Sequence, residues 1–226
     1  MSDAAQKFTG FSQKTLIFLD GLGANNNKAW FEEHKPDYQK YVLEPLQDLS
    51  TDLSGHMATI DPLFIGGKRA VSRIQRDTRF SHDKSPYKTS MWITFKRPQE
   101  DWADAPAYFF EISPGSYRYG MGFYSASPDT MFKFREALDK EPAEFRKAVA
   151  FLKKQTCFQV EGENYKRAAR AANPDLIDWY QRKNMYLVCN KNIDNRLFSN
   201  VLVSDLLSGF DMIAPFYRYL LRLKSA

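Results

Sequence analysis

Residues 107–126 read AYFFEISPGSYRYGMGFYSA, and the reading of this stretch decides the fold. Two runs rich in aromatic side chains, AYFFEI and YRYGMGFYSA, flank SPGS, whose Pro-Gly pair supplies a turn. Sequential strands usually lie side by side, so the stretch predicts a β-hairpin. Gly120 and Gly122 in its second arm predict either a bulge or the close approach of another backbone.

Working outward, residues 70–77 and 91–96 have the same short aromatic and β-branched character between Pro, Gly, Asp and Ser clusters, and MYLVCNKNI at 185–193 repeats it. These segments predict a central, mainly antiparallel sheet of four to five strands. Helical signals lie on both sides of it in sequence. SQKTLIFLDGL places Leu16, Leu19 and Leu22 at helical spacing behind the cap residue Ser12. The Asn run before Trp30 and Phe31 suits a second helix start, which Pro36 should break or restart. Tyr38, Tyr41, Val42, Leu46, Leu49 and Leu53 then form an amphipathic stripe, with a kink expected at Pro45. After Pro128, helices are predicted over 129–138 and 142–155, the latter with Phe145, Val149 and Leu152 facing a core. Further helices are predicted over 164–172, 174–183 and 200–224, the last interrupted by Gly209 and Pro215. The expectation is a single α+β domain over residues 1–226: helical over 12–60, strand-rich over 66–125, and helical with one further strand over 128–226.

Composition bounds the function classes. The chain has 226 residues, of which 43% are hydrophobic and 15% aromatic, enough for a substantial core. Its beginning shows no basic start followed by a long apolar run, and no segment approaches the ~20 apolar residues of a membrane span. No membrane partner is expected. Cys157 and Cys189 show neither CxxC nor Cys/His spacing, so neither a disulfide framework nor a zinc site is predicted, and a reducing cytoplasm fits best. His34, His56 and His82 are scattered, and no spacing among them and the carboxylates resembles a metal motif. No GxSxG elbow or P-loop occurs, and nothing identifies a cofactor.

Charge is concentrated in GGKRAVSRIQRDTRFSHDKSPYK, residues 66–88, which holds seven Lys or Arg against two Asp. Setting these aside from the chain's 32 basic and 27 acidic residues leaves 25 of each, so this one stretch accounts for the net charge of +5. If residues 72–80 are extended, Arg73, Gln75, Asp77 and Arg79 share one face and Ile74, Arg76, Thr78 and Phe80 the other. A face with two guanidinium groups around one carboxylate does not make an ordinary core. Asp83, Ser85 and Pro86 mark a turn that swings Lys84, Tyr87 and Lys88 back over the strand end.

The pattern RxxRDxRFxxxKxPYK, beginning at Arg73 and ending at Lys88, resembles the signature of a bacterial and fungal family catalogued as domain of unknown function 2461. NNNKAWFEEHKPDY upstream, and AYFFEISPG and GMGFY downstream, are similar to that family as well. The resemblance implies a single α+β domain of about this length and a shared site, and it carries no established activity, substrate or cofactor. Ser90 stands where members often have Asn, which touches only a peripheral polar contact.

Three readings of the basic stretch stay open. In the first, Arg73, Arg76, Arg79, Lys84 and Lys88 bind an anionic small molecule bearing a phosphate or carboxylate, with Asp77 as the clamp that aims Arg76 or Arg79 and Tyr87 as the acid/base candidate. Any chemistry would rest on electrostatic stabilisation by the fixed arginines. In the second, the same residues contact the phosphates of a nucleic acid while aromatic side chains stack on its bases. In the third, the Arg/Asp cluster is an internal network that fixes a loop, and function lies elsewhere.

Overall fold

Five strands form one antiparallel sheet in the order β1-β2-β3-β5-β4: β1 Met91–Phe95, β2 Pro106–Ile112, β3 Ser116–Phe123, β4 Phe158–Glu161 and β5 Tyr186–Asn192. The computed structural model describes residues 6–79, 81–99, 101–166 and 172–225. β2 and β3 are the predicted hairpin, its turn closed by the Ser113 N–H donating to the Ser116 carbonyl at 2.9 Å. Their side chains are buried almost without alternation, as expected of a sheet covered on both faces. At Gly120 and Gly122 a side chain would collide with Leu187 or Tyr186 of β5, so the close-approach reading holds rather than the bulge.

By backbone proximity the chain falls into two compact units. The first comprises Met1–Phe95, Phe109–Arg118 and Lys191–Leu207, the second Lys96–Tyr108, Tyr119–Asn190 and Ser208–Ala226.

Within the first unit, α1 Gln13–Ala24 starts at Ser12, and α2 Lys28–Glu33 starts at Asn27, whose side chain accepts from the Trp30 N–H at 3.0 Å. The break expected at Pro36 falls at His34, after which α3 Lys35–Tyr38 restarts with Pro36 in its first turn. The kink expected at Pro45 takes the form of a π-helical turn over Gln39–Leu43, followed by α4 Glu44–Ile60. Pro45 has no N–H to donate to the Tyr41 carbonyl, and the buried Thr15 hydroxyl donates to that carbonyl instead, at 2.6 Å. One threonine of α1 thus satisfies the acceptor that a proline in the neighbouring helix releases.

In the second unit, α5 Pro128–Lys140 and α6 Pro142–Ala148 begin as predicted, but α6 gives way to a 3-10 turn at Ala150–Lys154. Phe145 is buried there, whereas Val149 and Leu152 are only half-buried. The helix expected over 174–183 shrinks to a 3-10 turn at Pro174–Leu176 and one α-turn, α7 Ile177–Tyr180. The helix expected over 164–172 falls largely on 167–171, outside the described residues. α8 Val201–Ser225, whose start belongs to the first unit, runs through Gly209 and Pro215 without interruption. Its buried row of Phe210, Ile213, Phe216, Tyr217 and Leu220 holds it together. Pro215 and Asp211, four residues earlier, lie on its exposed face, where a missing intrahelical bond is best tolerated.

Three further departures from expectation concern the strands and the cysteines. Residues 70–77 form no regular strand: a 3-10 turn at Gly67–Ala70 is followed by irregular chain, joined to its surroundings by the single bridges Val71–Ile93 and Gln75–Tyr87. The strand β4 lies outside the segments predicted from sequence, because four residues are too short for alternation to register. It pairs Phe158 with Cys189, and this brings Cys157 within 5.0 Å (Cα–Cα) of Cys189 to form a disulfide across 32 residues of sequence. The absence of a disulfide predicted from cysteine spacing is therefore wrong. Spacing does not reveal which strands pair. No helix among the described residues is long and apolar enough to cross a membrane.

Candidate functional site

The basic stretch is a loop with two ends. Its base is anchored to the sheet edge, where the Ser72 N–H donates to the Trp92 carbonyl at 2.8 Å and the Trp92 N–H donates to the Ser72 hydroxyl at 3.2 Å. Further out the two arms of the loop pair with each other. The Arg76 N–H donates to the Pro86 carbonyl at 2.9 Å, and the Lys88 N–H donates to the Ile74 carbonyl at 2.8 Å. Asn26, between α1 and α2, clamps the returning arm. Its Nδ2 donates to the Tyr87 carbonyl at 2.9 Å while its Oδ1 accepts from the Tyr87 N–H at 3.0 Å. The Asn run that suggested a helix start therefore divides its work: Asn27 caps, and Asn26 holds Tyr87.

Exposure alternates along the outgoing arm as anticipated. Ile74 is buried between exposed Arg73 and Gln75, and Arg76 and Thr78 are less exposed than Asp77 and Arg79. Phe80 lies outside the described residues. Alternation with isolated bridges, and no continuous ladder, is not enough to make a strand.

At the tip the charges satisfy one another. Asp77 receives the Arg79 guanidinium in a fork, Nε at 3.0 Å to Oδ1 and Nη2 at 2.6 Å to Oδ2, together with the Arg79 N–H at 3.2 Å. Asp83 receives the Ser85 hydroxyl and N–H at 2.6 and 2.9 Å and an ion pair from Arg76, whose other nitrogen donates to the Ser81 hydroxyl at 3.3 Å. Lys84 donates to the Thr78 carbonyl at 2.9 Å. Hydrogen bonds from Arg79 hold the Asp77 carboxyl far below the usual carboxylate range, and those from Ser85 and then Arg76 do the same for Asp83. Both are fully ionised at neutral pH. His82 is exposed beside them.

The base is different. Lys88 donates to the Arg73 carbonyl at 2.7 Å and lies over the Trp92 ring at 4.3 Å, with its pKa lowered by burial and then by the Arg73 charge. The Arg73 guanidinium itself makes no hydrogen bond or salt bridge among the described residues, and its charge acts on the Asp77 carboxylate only from a distance. It lines an open pocket of ≈ 390 Å³ between the loop, α2, α3 and the π-turn. Lys68 and Lys35 also line it, and Lys35 is paired with Glu32 at 3.3 Å. The Gly66-Gly67-Lys68-Arg69 run is a turn, tied down by Ser50 donating to the Gly67 carbonyl at 2.8 Å and by Ser54 accepting from the Gly67 N–H at 2.7 Å. That turn brings Lys68 to the rim.

Aromatic rings build the pocket wall. Phe31 stacks on Tyr87 with centroids 4.2 Å apart and packs against Tyr38 at 5.5 Å. All three are buried residues that face the pocket. Neither the Tyr38 nor the Tyr87 hydroxyl has a hydrogen-bond partner among the described residues. Burial pushes the Tyr38 phenol up to about 12, so it keeps its proton at neutral pH.

Of the residues singled out from sequence, Arg73 and Tyr87 meet at the pocket. Arg76, Arg79, Lys84 and Asp77 are placed at the tip, and Lys88 beneath Arg73. Arg76 and Arg79 take up both carboxylates, so Arg73, Lys84 and Lys88 are the three uncompensated charges, and two of these are already tied to carbonyls. The pocket residues that sequence reasoning did not single out are Lys68, Phe31 and Tyr38, with Asn26 behind them. Tyr38 reads as core from its spacing and Phe31 as part of a first helical turn, and both are core on one side.

A family model described as "Conserved hypothetical protein (DUF2461)" matches residues 14–219, a span that contains the whole loop and pocket. No curated protein matches the chain.

Proposed function

This chain belongs to the DUF2461 family of conserved hypothetical proteins, and we propose that it binds a small ligand bearing a phosphate or carboxylate in the pocket at the base of the loop. One observation carries the reading: Arg73, alone among the motif's arginines, makes no internal hydrogen bond or salt bridge among the described residues and borders an open cavity. A guanidinium presents a planar fork of donors that matches a carboxylate or phosphate edge. Lys68 adds a second cation at the rim, and the Tyr87 hydroxyl is the donor assigned to the ligand's polar atoms.

Within this reading the tip residues Arg76, Arg79, Lys84 and Asp77 shape the loop, and the structural-network interpretation applies to them because their charges are matched locally. Asp77 is ionised and engaged by Arg79, so no general-base role is assigned to it. No reaction is proposed. The nucleic-acid reading needs several free cations along one surface, and it is left to experiment. The cytoplasmic location inferred from cysteine spacing loses its basis now that the cysteines are joined, and the proposal names no compartment.

The test is binding of inorganic phosphate, and of a mixed polynucleotide, by wild type and Arg73→Gln across a salt series. The proposal expects saturable phosphate binding that Arg73→Gln removes, without polynucleotide binding at low salt. Tight polynucleotide binding that falls steeply with salt, with no dependence on Arg73, would replace it.

A further inference from the structure

We infer that the ligand of this pocket is a compact amphiphile, an aromatic ring bearing one carboxylate or phosphate group, and not a polyanion. The inference rests on the anion-binding reading above and narrows it to a chemical class.

Charge sets the upper limit. Two of the cations at the pocket, Arg73 and Lys68, lack a carboxylate partner among the described residues, while Lys35 is neutralised by Glu32. Glu32 also lines the pocket, so a carboxylate already stands in the wall. A phosphate dianion against Arg73 and Lys68 balances the site, and a carboxylate on Arg73 leaves a single positive charge at the rim. A nucleoside triphosphate would bring several more negative charges against the same two cations, an arrangement that like-charge repulsion disfavours.

Shape and chemistry of the walls set the rest. Phe31, Tyr38, Ile74 and Tyr87 are each less than a tenth exposed, and each turns part of that remainder toward the cavity. A ligand that is only an anion would leave this surface wet, whereas a ring would cover it. The wall is fixed in advance: Phe31 is stacked on Tyr87, and Asn26 holds the Tyr87 backbone on both sides. A rigid apolar wall favours a rigid partner, because neither side loses much freedom on contact. The cavity of ≈ 390 Å³ lies near the small end of the roughly 300–1,000 Å³ typical of small-molecule sites. The Tyr38 and Tyr87 hydroxyls, without internal partners, give a ring substituent or the anion itself something to bond.

The experiment is a set of calorimetric titrations at one ionic strength, with benzoate, phenyl phosphate, acetate, inorganic phosphate and ATP as probes. Wild type, Arg73→Gln and Phe31→Leu are compared. Benzoate or phenyl phosphate should bind at least about tenfold more tightly than acetate, inorganic phosphate or ATP, equivalent to ~1.4 kcal/mol. Arg73→Gln should abolish binding of both aryl probes, and Phe31→Leu should shrink the aryl preference several-fold while keeping anion binding. Which aryl probe leads reports whether carboxylate or phosphate is preferred. Equal affinity for acetate, phosphate and the aryl probes would overturn the aromatic class but leave an anion site at Arg73. Tightest binding by ATP would likewise overturn it. Absence of binding by all five probes would overturn both this inference and the anion-binding reading. Should Phe31→Leu fail to fold, the wild-type probe series alone decides.

Discussion

The two ends of one basic loop use the same residue types in opposite ways. At the tip, Arg76, Arg79 and Lys84 find Asp83, Asp77 and the Thr78 carbonyl within a few residues of themselves. At the base, Arg73 makes no such bond, and the pocket it borders is lined by rings, hydroxyls, Lys68 and the mutually paired Lys35 and Glu32. Counting charges over the whole loop hides this division, because the pairing is local and uneven. The lesson is that a surplus of cations identifies a site only after each has been followed to its partner.

The sharpest way to break the comparison is to release the base. Replacing Asn26 with Ala removes both bonds to the Tyr87 backbone and leaves a partly buried donor and acceptor unsatisfied. It should cost about 2–3 kcal/mol in a urea-unfolding experiment. Stability unchanged within error would mean that the base is not held as described.

Next in size is the contrast between Arg73→Gln and Arg79→Gln. The first should weaken phosphate binding by tenfold or more while changing stability by no more than about 0.5 kcal/mol, as for an exposed side chain without partners. The second should leave phosphate affinity within about twofold. Equal losses in the two variants, read by calorimetry, would erase the distinction between base and tip. Tyr87→Phe should reduce affinity only a few-fold, with an unchanged melting temperature, since the hydroxyl has no internal partner among the described residues to lose.

The smallest effect is a difference in pH response. Asp77 and Asp83 have folded pKa values depressed below the unfolded value of about 3.9. Their contribution is therefore complete above that pH and is lost as pH falls through the folded values. The clamp on Tyr87 uses a neutral amide. On acidification below about pH 4, amide-exchange protection at Arg79 and Ser85 should decline while that at Tyr87 persists. Parallel loss at all three positions would show that the two ends open together.

What could be read from sequence follows the range of the interactions involved. The hairpin, the caps at Ser12 and Asn27, the break near Pro36 and the irregular turn before Pro45 all depend on neighbours within a few positions, and they were legible. So was the self-pairing capacity of the tip, where Asp77 and Arg79, or Asp83 and Ser85, are two residues apart. The clamp between Asn26 and Tyr87 spans 61 positions, and the Cys157–Cys189 bond spans 32. Both appear only once strands and helices have been placed. Residues 70–77 misled because alternation reports on burial of one side of an extended chain, while a strand also requires a continuous run of bonds to a neighbour, and only two isolated bridges form here. Gly209 and Pro215 misled because the buried row of α8 outweighs two weak helix formers.

The measurement that bears most directly on the account is a crystal grown at high sulfate concentration. The account predicts an ordered sulfate on the Arg73 guanidinium inside the pocket, with the Asp77–Arg79 and Arg76–Asp83 pairs undisturbed. A sulfate bound instead among Arg76, Arg79 and Lys84, with Arg73 bare, would contradict it.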